Sequence, residues 1–348
     1  MKPSIGYVLA PTSLERNNMK TLVCGSGGFI GGWLTRALVE QGHQVRGVDV
    51  KPLSRWYQQI SDAENLCLDL HNFNDCRRAC EGADTVIQLA ANMGGMGYIE
   101  RNRIECMYNI DITRNMLEAT YRAGVKKFFF SSSACVYNTE LQQTTTPAPL
   151  KESDAYPAMA ERGYGWEKLF AEMLCQEYTA ELGMKTYIAR FHNVYGPNGD
   201  WNTVRAKAPA AICRKVIECK HEGKDTIDIW GDGTQERSYM WIDDCVLGIQ
   251  KIIACDALIA TPINLGSSEM VSVNQLVDLA EEFAGVKLKR NYQLDAPRGV
   301  VGRNSDNTMI KSVLGWEPHT ALREGLRETF TWIEQQYLAM KAGKRVIE

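Results

Sequence analysis

The chain has 348 residues, with 39 lysines and arginines against 42 aspartates and glutamates and a formal net charge of −3. That length allows a sizeable core and asks for two domains, or one domain with a substantial lobe, while the balanced charge argues against a nucleic acid or an anionic membrane as main partner. Eleven irregularly spaced cysteines suit buried thiols in a reducing, cytoplasmic compartment better than a disulfide framework, the five scattered histidines show no metal-ligand spacing, and no stretch has the apolar length of a membrane span.

The first apolar run, residues 5–10, is cut short by Pro11 and has no basic lead beyond Lys2, so it does not read as a signal peptide. Residues 20–24 form a short apolar strand, followed by Gly25-Ser-Gly-Gly28-Phe-Ile-Gly31 and a helix-period run through Trp33, Leu34, Ala37 and Leu38. Strand, glycine turn and helix in this order build a dinucleotide site. Gly25 permits the turn, Gly28 lets backbone N–H groups approach a pyrophosphate, and Gly31 allows close helix packing. A second strand over 44–49 ends in Asp49, which can accept a ribose 2′-hydroxyl and would repel a 2′-phosphate. This favours NAD, although Lys51 and Arg55 nearby leave NADP open. Strands over 65–70, ending in Asp69 and Leu70, and over 85–91, through Leu89, alternate with helical stretches. The alternation predicts an α/β fold with a Rossmann-type, doubly wound parallel sheet.

Residues 92–97 predict a loop in which Gly95 can offer backbone to a substrate, a plain loop being an equal reading, and a long helix over about 99–122 follows. Residues 128–137, Phe-Phe-Phe-Ser-Ser-Ser-Ala-Cys-Val-Tyr, read as a buried strand arriving at its carboxyl end, where open α/β sheets bind ligands. In an extended segment Ser133 and Cys135 share a face toward a cleft, though a core strand with a buried thiol fits these residues as well. Tyr164-Gly-Trp-Glu-Lys168 opens another helix, and its four-residue step sets phenol and ammonium on one face. An unperturbed tyrosine titrates near 10 and a nearby ammonium favours the phenolate. After a dinucleotide motif and a serine-bearing strand, the pair reads as catalytic rather than as a solvated face.

Residues 186–197 predict a strand running into a turn, and 198–205 are polar and loop-like. Pro209 suits the first turn of a helix carrying Arg214 and Lys215, with Lys207 just before it. Residues 229–237 read as a hairpin-like segment, and the stretch from Arg298 to Asp306 follows later. Arg237 and Arg303 are candidates to grip a diphosphate, as guanidinium forks do well, or ordinary surface arginines. From Lys341 the chain is basic and reads as a frayed tail.

Together the glycine turn, Asp49, Asp69-Leu70, Leu89-Ala-Ala91, Ser133 and the Tyr164–Lys168 pair resemble the extended short-chain dehydrogenase/reductases that act on nucleotide sugars. A narrower resemblance, to the GDP-mannose 3,5-epimerase family, runs from residue 20 to about 335. It is carried by residues 92–97, Ser133-Ala-Cys135, Lys151-Glu-Ser-Asp154, Arg190-Phe-His-Asn-Val-Tyr-Gly-Pro197, Lys207-Ala-Pro-Ala-Ala211, Trp230-Gly-Asp-Gly233 and Gly302-Arg-Asn-Ser-Asp-Asn307. The resemblance implies a homodimer. Each chain would have an NAD-binding domain over 19–195 plus about 236–266, and a smaller C-terminal α/β lobe for the nucleotide sugar over about 196–235 plus 267–340. NAD would be held by Gly25, Gly28, Phe29, Ile30, Gly31, Asp49, Asp69, Leu70, Leu89, Tyr164 and Lys168.

The same resemblance implies that the sugar is oxidised at C4, with Tyr164 as base, Lys168 lowering its pKa and Ser133 bonding the oxygen. Cys135 and Lys207 would then move protons at C3 and C5 before C4 is reduced again. A GDP-hexose would meet Gly95, Ser133, Ala134, Cys135, Asn193, Ala206, Lys207, Ala208, Lys215, Gln235, Arg237 and Arg303. Ala206 departs from the glutamate that plant-type members carry before the lysine. Among rivals, a GDP-mannose 4,6-dehydratase places a carboxylate where Cys135 stands, and an NAD-binding protein with a dead site would typically lack the Tyr164–Lys168 pair.

Overall fold

The structure is a computed structural model describing residues 19–145, 147–296, 299–344 and 346–347, so the run at 5–10 and Arg298 fall outside the described residues. The chain begins β1 (Lys20–Cys24), α1 (Phe29–Glu40), β2 (Gln44–Asp49), β3 (Glu64–Cys67), α2 (Phe73–Cys80), β4 (Thr85–Gln88), α3 (Met96–Arg101), α4 (Arg103–Met107), α5 (Asn109–Arg122) and β5 (Lys127–Ser133). It continues α6 (Tyr164–Leu182), β6 (Lys185–Phe191), β7 (Asn193–Tyr195), α7 (Ala208–Glu222), β8 (Thr226–Trp230), β9 (Glu236–Trp241) and α8 (Ile242–Ile253). The last elements are β10 (Pro262–Leu265), β11 (Met270–Ser272), α9 (Val273–Ala284), β12 (Lys289–Gln293), β13 (Gly302–Arg303), α10 (Thr308–Leu314) and α11 (Leu322–Lys341).

Seven strands form one parallel sheet in the order β10-β6-β5-β4-β1-β2-β3. The chain winds outward from β1 in one direction and from β4 in the other. The carboxyl ends of these two neighbours therefore frame a switch point, the place where such sheets leave a crevice. Alternation of side chains covers both faces. Leu22, Cys24, Phe128 and Phe130 pack with Met116 and Leu117 of α5 and Ala171 and Cys175 of α6, while Val23, Phe129 and Tyr187 join Leu34 of α1 and Ile249 of α8. The three phenylalanines of β5 are fully buried, each burial stabilising the fold by about 1.5–3 kcal/mol. A second sheet centres on β9, with β7 and β13 parallel and β11 antiparallel to it, and β8 pairs with β12 as a two-stranded ribbon. Helices α7, α9 and α11 pack on one another beside these strands.

Several elements depart from the sequence expectation for tertiary reasons. The helix expected over 99–122 is three helices. Asn102 leaves helical geometry at φ −123° and ψ 44°, its amide donating to the Tyr98 carbonyl at 2.8 Å. The Asn109 side chain bonds both the N–H and the carbonyl of Asn92, at 2.6 and 3.1 Å. The strand expected over 128–137 ends at Ser133, and Ala134–Val136 is a 3₁₀ turn, so that turn and not two-residue alternation presents Cys135. Strand β3 stops at Cys67 and β4 at Gln88, short of the expected 70 and 91. The stretch 186–197 divides at His192 between two sheets, and β8 and β9 form no hairpin because each pairs with strands distant in sequence. The described tail is tied down rather than frayed, the Trp201 indole donating to the Ile347 carbonyl at 2.7 Å. Among the described residues no helix is long and apolar enough to cross a membrane, and no cluster of three or more metal-ligating side chains occurs.

Candidate active site

A cleft of about 2310 Å³ opens at the switch point, and every candidate residue named above lines it except Lys168. Its cofactor side is shaped by absent side chains. A Cβ on Gly31 would stand 2.1 Å from the Gly25 carbonyl oxygen, and Gly25 itself has φ +83° with Ala90 backbone 3.0 Å from any added Cβ, a conformation that favours glycine. Helix α1 starts with no side-chain cap and no acid in its first turn, which leaves its leading N–H groups and dipole for an anion. Asp49, buried at the end of β2, accepts from the Lys51 N–H at 3.0 Å; burial pushes its carboxyl up and Lys51 opposes. The Lys51 ammonium is engaged beside the turn, donating to the Gly27 carbonyl at 2.6 Å and lying 4.2 Å over the Tyr57 ring. The backbone and ring of His71 hold the Asp69 carboxyl below its usual range. Crowded glycines, an uncapped N-terminus and an acid closing the second strand fit a dinucleotide.

On the reacting side, Ser133 ends β5 and its hydroxyl accepts the Cys135 N–H at 3.2 Å. Tyr164 is the first residue of α6. Lys168 lies beneath it, 2% exposed, its ammonium 4.7 Å from the Phe130 ring centroid and 5.5 Å from that of Tyr164. Burial pushes Tyr164 well up, Cys135 and Glu167 add to the effect, and the Ser133 hydroxyl opposes it. Cys135 is also pushed up, by burial first and Glu161 second, against Arg303. Lys207 occupies the N-cap position of α7, and desolvation pushes its ammonium down while Cys135 opposes. The thiol and the amine thus shift in opposite directions, and the amine has the lower proton affinity of an amine out of water.

Residues 21–266 match the NAD dependent epimerase/dehydratase family. The chain belongs to that family. Its cofactor is NAD. Among relatives of this epimerase/dehydratase, the GDP-mannose 3,5-epimerase of Arabidopsis thaliana is 43% identical over 326 residues, 93% of this chain and 85% of the relative. GDP-mannose 3,5-epimerase 1 of Oryza sativa subsp. japonica is 43% identical over 91% of this chain and 82% of its own. Of solved structures, UDP-glucose 4-epimerase from Thermotoga maritima with UDP-glucose superposes with a TM-score of 0.80 at 27% identity, covering 92% of this chain and 100% of that one. UDP-glucuronic acid 4-epimerase from Bacillus cereus, with UDP-glucuronic acid and NAD, gives 0.78 at 26% identity, covering 91% and 99%.

Elsewhere in the cleft of this epimerase/dehydratase, the substrate-side candidates make modest bonds. Asn193 donates to the Ser238 carbonyl at 3.3 Å, Lys215 to the Asp228 carbonyl at 2.8 Å and Gln235 to the Trp230 carbonyl at 2.8 Å. Arg237 donates to the carbonyls of Glu236 and Val301 at 2.7 and 3.1 Å, and burial, with Arg303 beside it, lowers its pKa to about 10. Arg303, expected at a diphosphate, is instead 6% exposed and turned to Glu161, Gln142 and Cys135.

Sequence reasoning did not single out Glu161, Gln142, Arg205 or Glu167. Arg205 donates to the Asn92 side chain at 2.8 Å and the Tyr98 hydroxyl at 2.7 Å, and its carbonyl accepts the Gly95 N–H at 2.9 Å. It clasps the Gly95 loop to the segment bearing Ala206 and Lys207. Glu167 is buried, and burial raises it to about 7, with neither carboxyl oxygen bonded among the described residues. Only its place inside the Tyr164–Lys168 step marked it.

Proposed function

We propose that the chain is a GDP-mannose 3,5-epimerase, an isomerase converting GDP-D-mannose to GDP-L-galactose, with GDP-L-gulose, through transient oxidation at C4. The observation that carries this reading is that a thiol and an amine, Cys135 and Lys207, line the same cleft as Ser133 and Tyr164. The 43% identity to relatives bearing that name supports it. When bound, NAD supplies an acceptor that takes the C4 hydrogen as hydride and returns it, and a ring charge that favours the phenolate.

In this scheme Tyr164 takes the C4 hydroxyl proton while Ser133 bonds the oxygen, and Lys168 keeps a cation beneath the phenol. The C4 ketone acidifies the hydrogens on both its neighbours, C3 and C5. Cys135 and Lys207 then remove a proton from one face and return one to the other, starting from ordinary values of about 8.5 and 10.4. Arg237 and Lys215 serve the diphosphate and Gly95 offers backbone to the sugar. The purified protein incubated with GDP-mannose is expected to show new sugar protons by NMR, inverted at C3 and C5. Nucleotide released by acid afterwards is expected to be NAD at undiminished amount. Mostly NADP, or loss of NAD in proportion to product, would defeat the cyclic scheme.

We further infer a homodimer. Ile104, Met107, Tyr108, Trp166, Phe170 and Met173 are 44 to 66% exposed, and α4 and α5 pack against α6. Trp166, Phe170 and Met173 recur at helical spacing as one apolar stripe, a face that asks for a partner. Light scattering at micromolar concentration is expected to give twice the 39.1 kDa chain mass, and Trp166→Glu with Phe170→Glu to give the single mass. A monomeric natural protein would refute the inference. The eleven unbridged cysteines support a cytoplasmic setting, which cell fractionation into an oxidising compartment would contradict.

A further inference from the structure

Arg303 stands in β13 in parallel register with Arg237 of β9, yet the two guanidinium groups serve different partners. That of Arg303 is engaged on three sides. Nε donates to Gln142 Oε1 at 2.6 Å, Nη2 pairs with the Glu161 carboxylate, and Nη1 lies 3.6 Å from the Cys135 sulfur. Glu161 is in turn fixed to the thiol's own backbone, its N–H donating to the Cys135 carbonyl at 3.0 Å. A buried cation aimed by a partly buried anion therefore meets one sulfur atom.

We propose that Arg303 is a positioning residue for Cys135: held by Glu161 and Gln142, it donates to the sulfur and favours the thiolate that can take a proton from the sugar. The proposal rests on the acid/base reading of Cys135 given above. Among the described residues, ionisable groups acting on that sulfur include Glu161, Tyr164, Cys106 of α4, Lys207, Arg237 and Arg303. Three are cations, and Arg303 is the one whose guanidinium is seen to donate to the sulfur, at 3.6 Å. A charge-assisted N–H donated to a thiolate in a desolvated setting favours the charged form, and an opposite charge at this range is worth roughly one to three pKa units. Glu161 has a double effect, since it aims the guanidinium and also repels the thiolate.

The pH dependence of Cys135 alkylation by iodoacetamide, followed on its peptide by mass spectrometry, reads the thiol's titration without requiring turnover. Glu161→Gln removes the repulsion and keeps a bonding partner for Arg303, so the midpoint is expected to fall by about one unit. Arg303→Gln is expected to raise it by about one to two units, slowing alkylation roughly 10- to 100-fold at a fixed pH below the midpoint. Because Arg303→Gln leaves a largely desolvated carboxylate without its cation, the neutral double variant Glu161→Gln/Arg303→Gln is measured beside it. Its midpoint is expected to lie above that of Glu161→Gln alone. A Glu161→Gln midpoint that does not fall, or a double variant that matches Glu161→Gln, would overturn the coupling. If these shifts appear but the natural protein epimerises no nucleotide sugar, the epimerase reading fails and the coupling stands.

Discussion

Turnover in heavy water is expected to place deuterium at C3 and C5 of the sugar and none at C4. Replacing Cys135 and Lys207 together by alanine is expected to cut that entry by at least about 10³-fold, since a positioned general acid or base contributes 10²–10⁴-fold. The argument is one of separate tasks. Tyr164 exchanges only the hydroxyl proton, so C4 keeps its own carbon-bound hydrogen, whereas protons at C3 and C5 pass through side chains that equilibrate with solvent. In the Lys207→Ala and Cys135→Ala single variants the oxidising side of the cleft is whole. Epimerisation is expected to collapse in each while reduction of the bound cofactor by sugar remains detectable in absorbance. Undiminished deuterium at both carbons in the double variant would sink the assignment, because no other named residue is placed to do that work.

The second large effect belongs to Tyr164→Phe. Its ring packs among Ile99, Cys106 and Cys135, and phenylalanine keeps that packing while removing the hydroxyl. Both cofactor reduction and deuterium entry are expected to fall together, by about 10³-fold or more, a loss of roughly 4 kcal/mol in transition-state stabilisation. The joint loss is the point of the experiment. If Tyr164→Phe stopped reduction but left solvent exchange at C3, the ketone would not be the source of the acidity and the order of steps would be wrong.

Much of the frame was legible because it depends on near neighbours in sequence. The strand, glycine turn and helix from Lys20 to Glu40, Asp49 closing β2, and the start of α6 at Tyr164 follow from local pattern, and the fold is the doubly wound sheet expected. What escaped the sequence depends on distant partners. The Asn102 break involves an amide bond that a helical pattern does not announce. The separation of β8 from β9 follows from what lies across from them, β12 and β13 arriving some 60 residues later. The charge of Arg303 was visible, whereas its partner Glu161, 142 positions away, was not recognisable as one. For Tyr164 the neighbouring ammonium was visible in the sequence, whereas the burial that pushes the phenol up depends on residues brought in by the fold.

The place of Lys168 has a consequence for how the enzyme meets its medium. The residue is 2% exposed, with the ammonium 4.7 Å from the Phe130 ring centroid and 5.5 Å from that of Tyr164. Dissolved ions screen charges they can approach, within about 10 Å at 0.1 M, and screen buried ones far less. Added salt should therefore weaken attraction of an anionic sugar nucleotide into the cleft while leaving the field beneath the phenol almost untouched. Ionic strength then acts on how often substrate arrives, and hardly at all on what happens to it once seated.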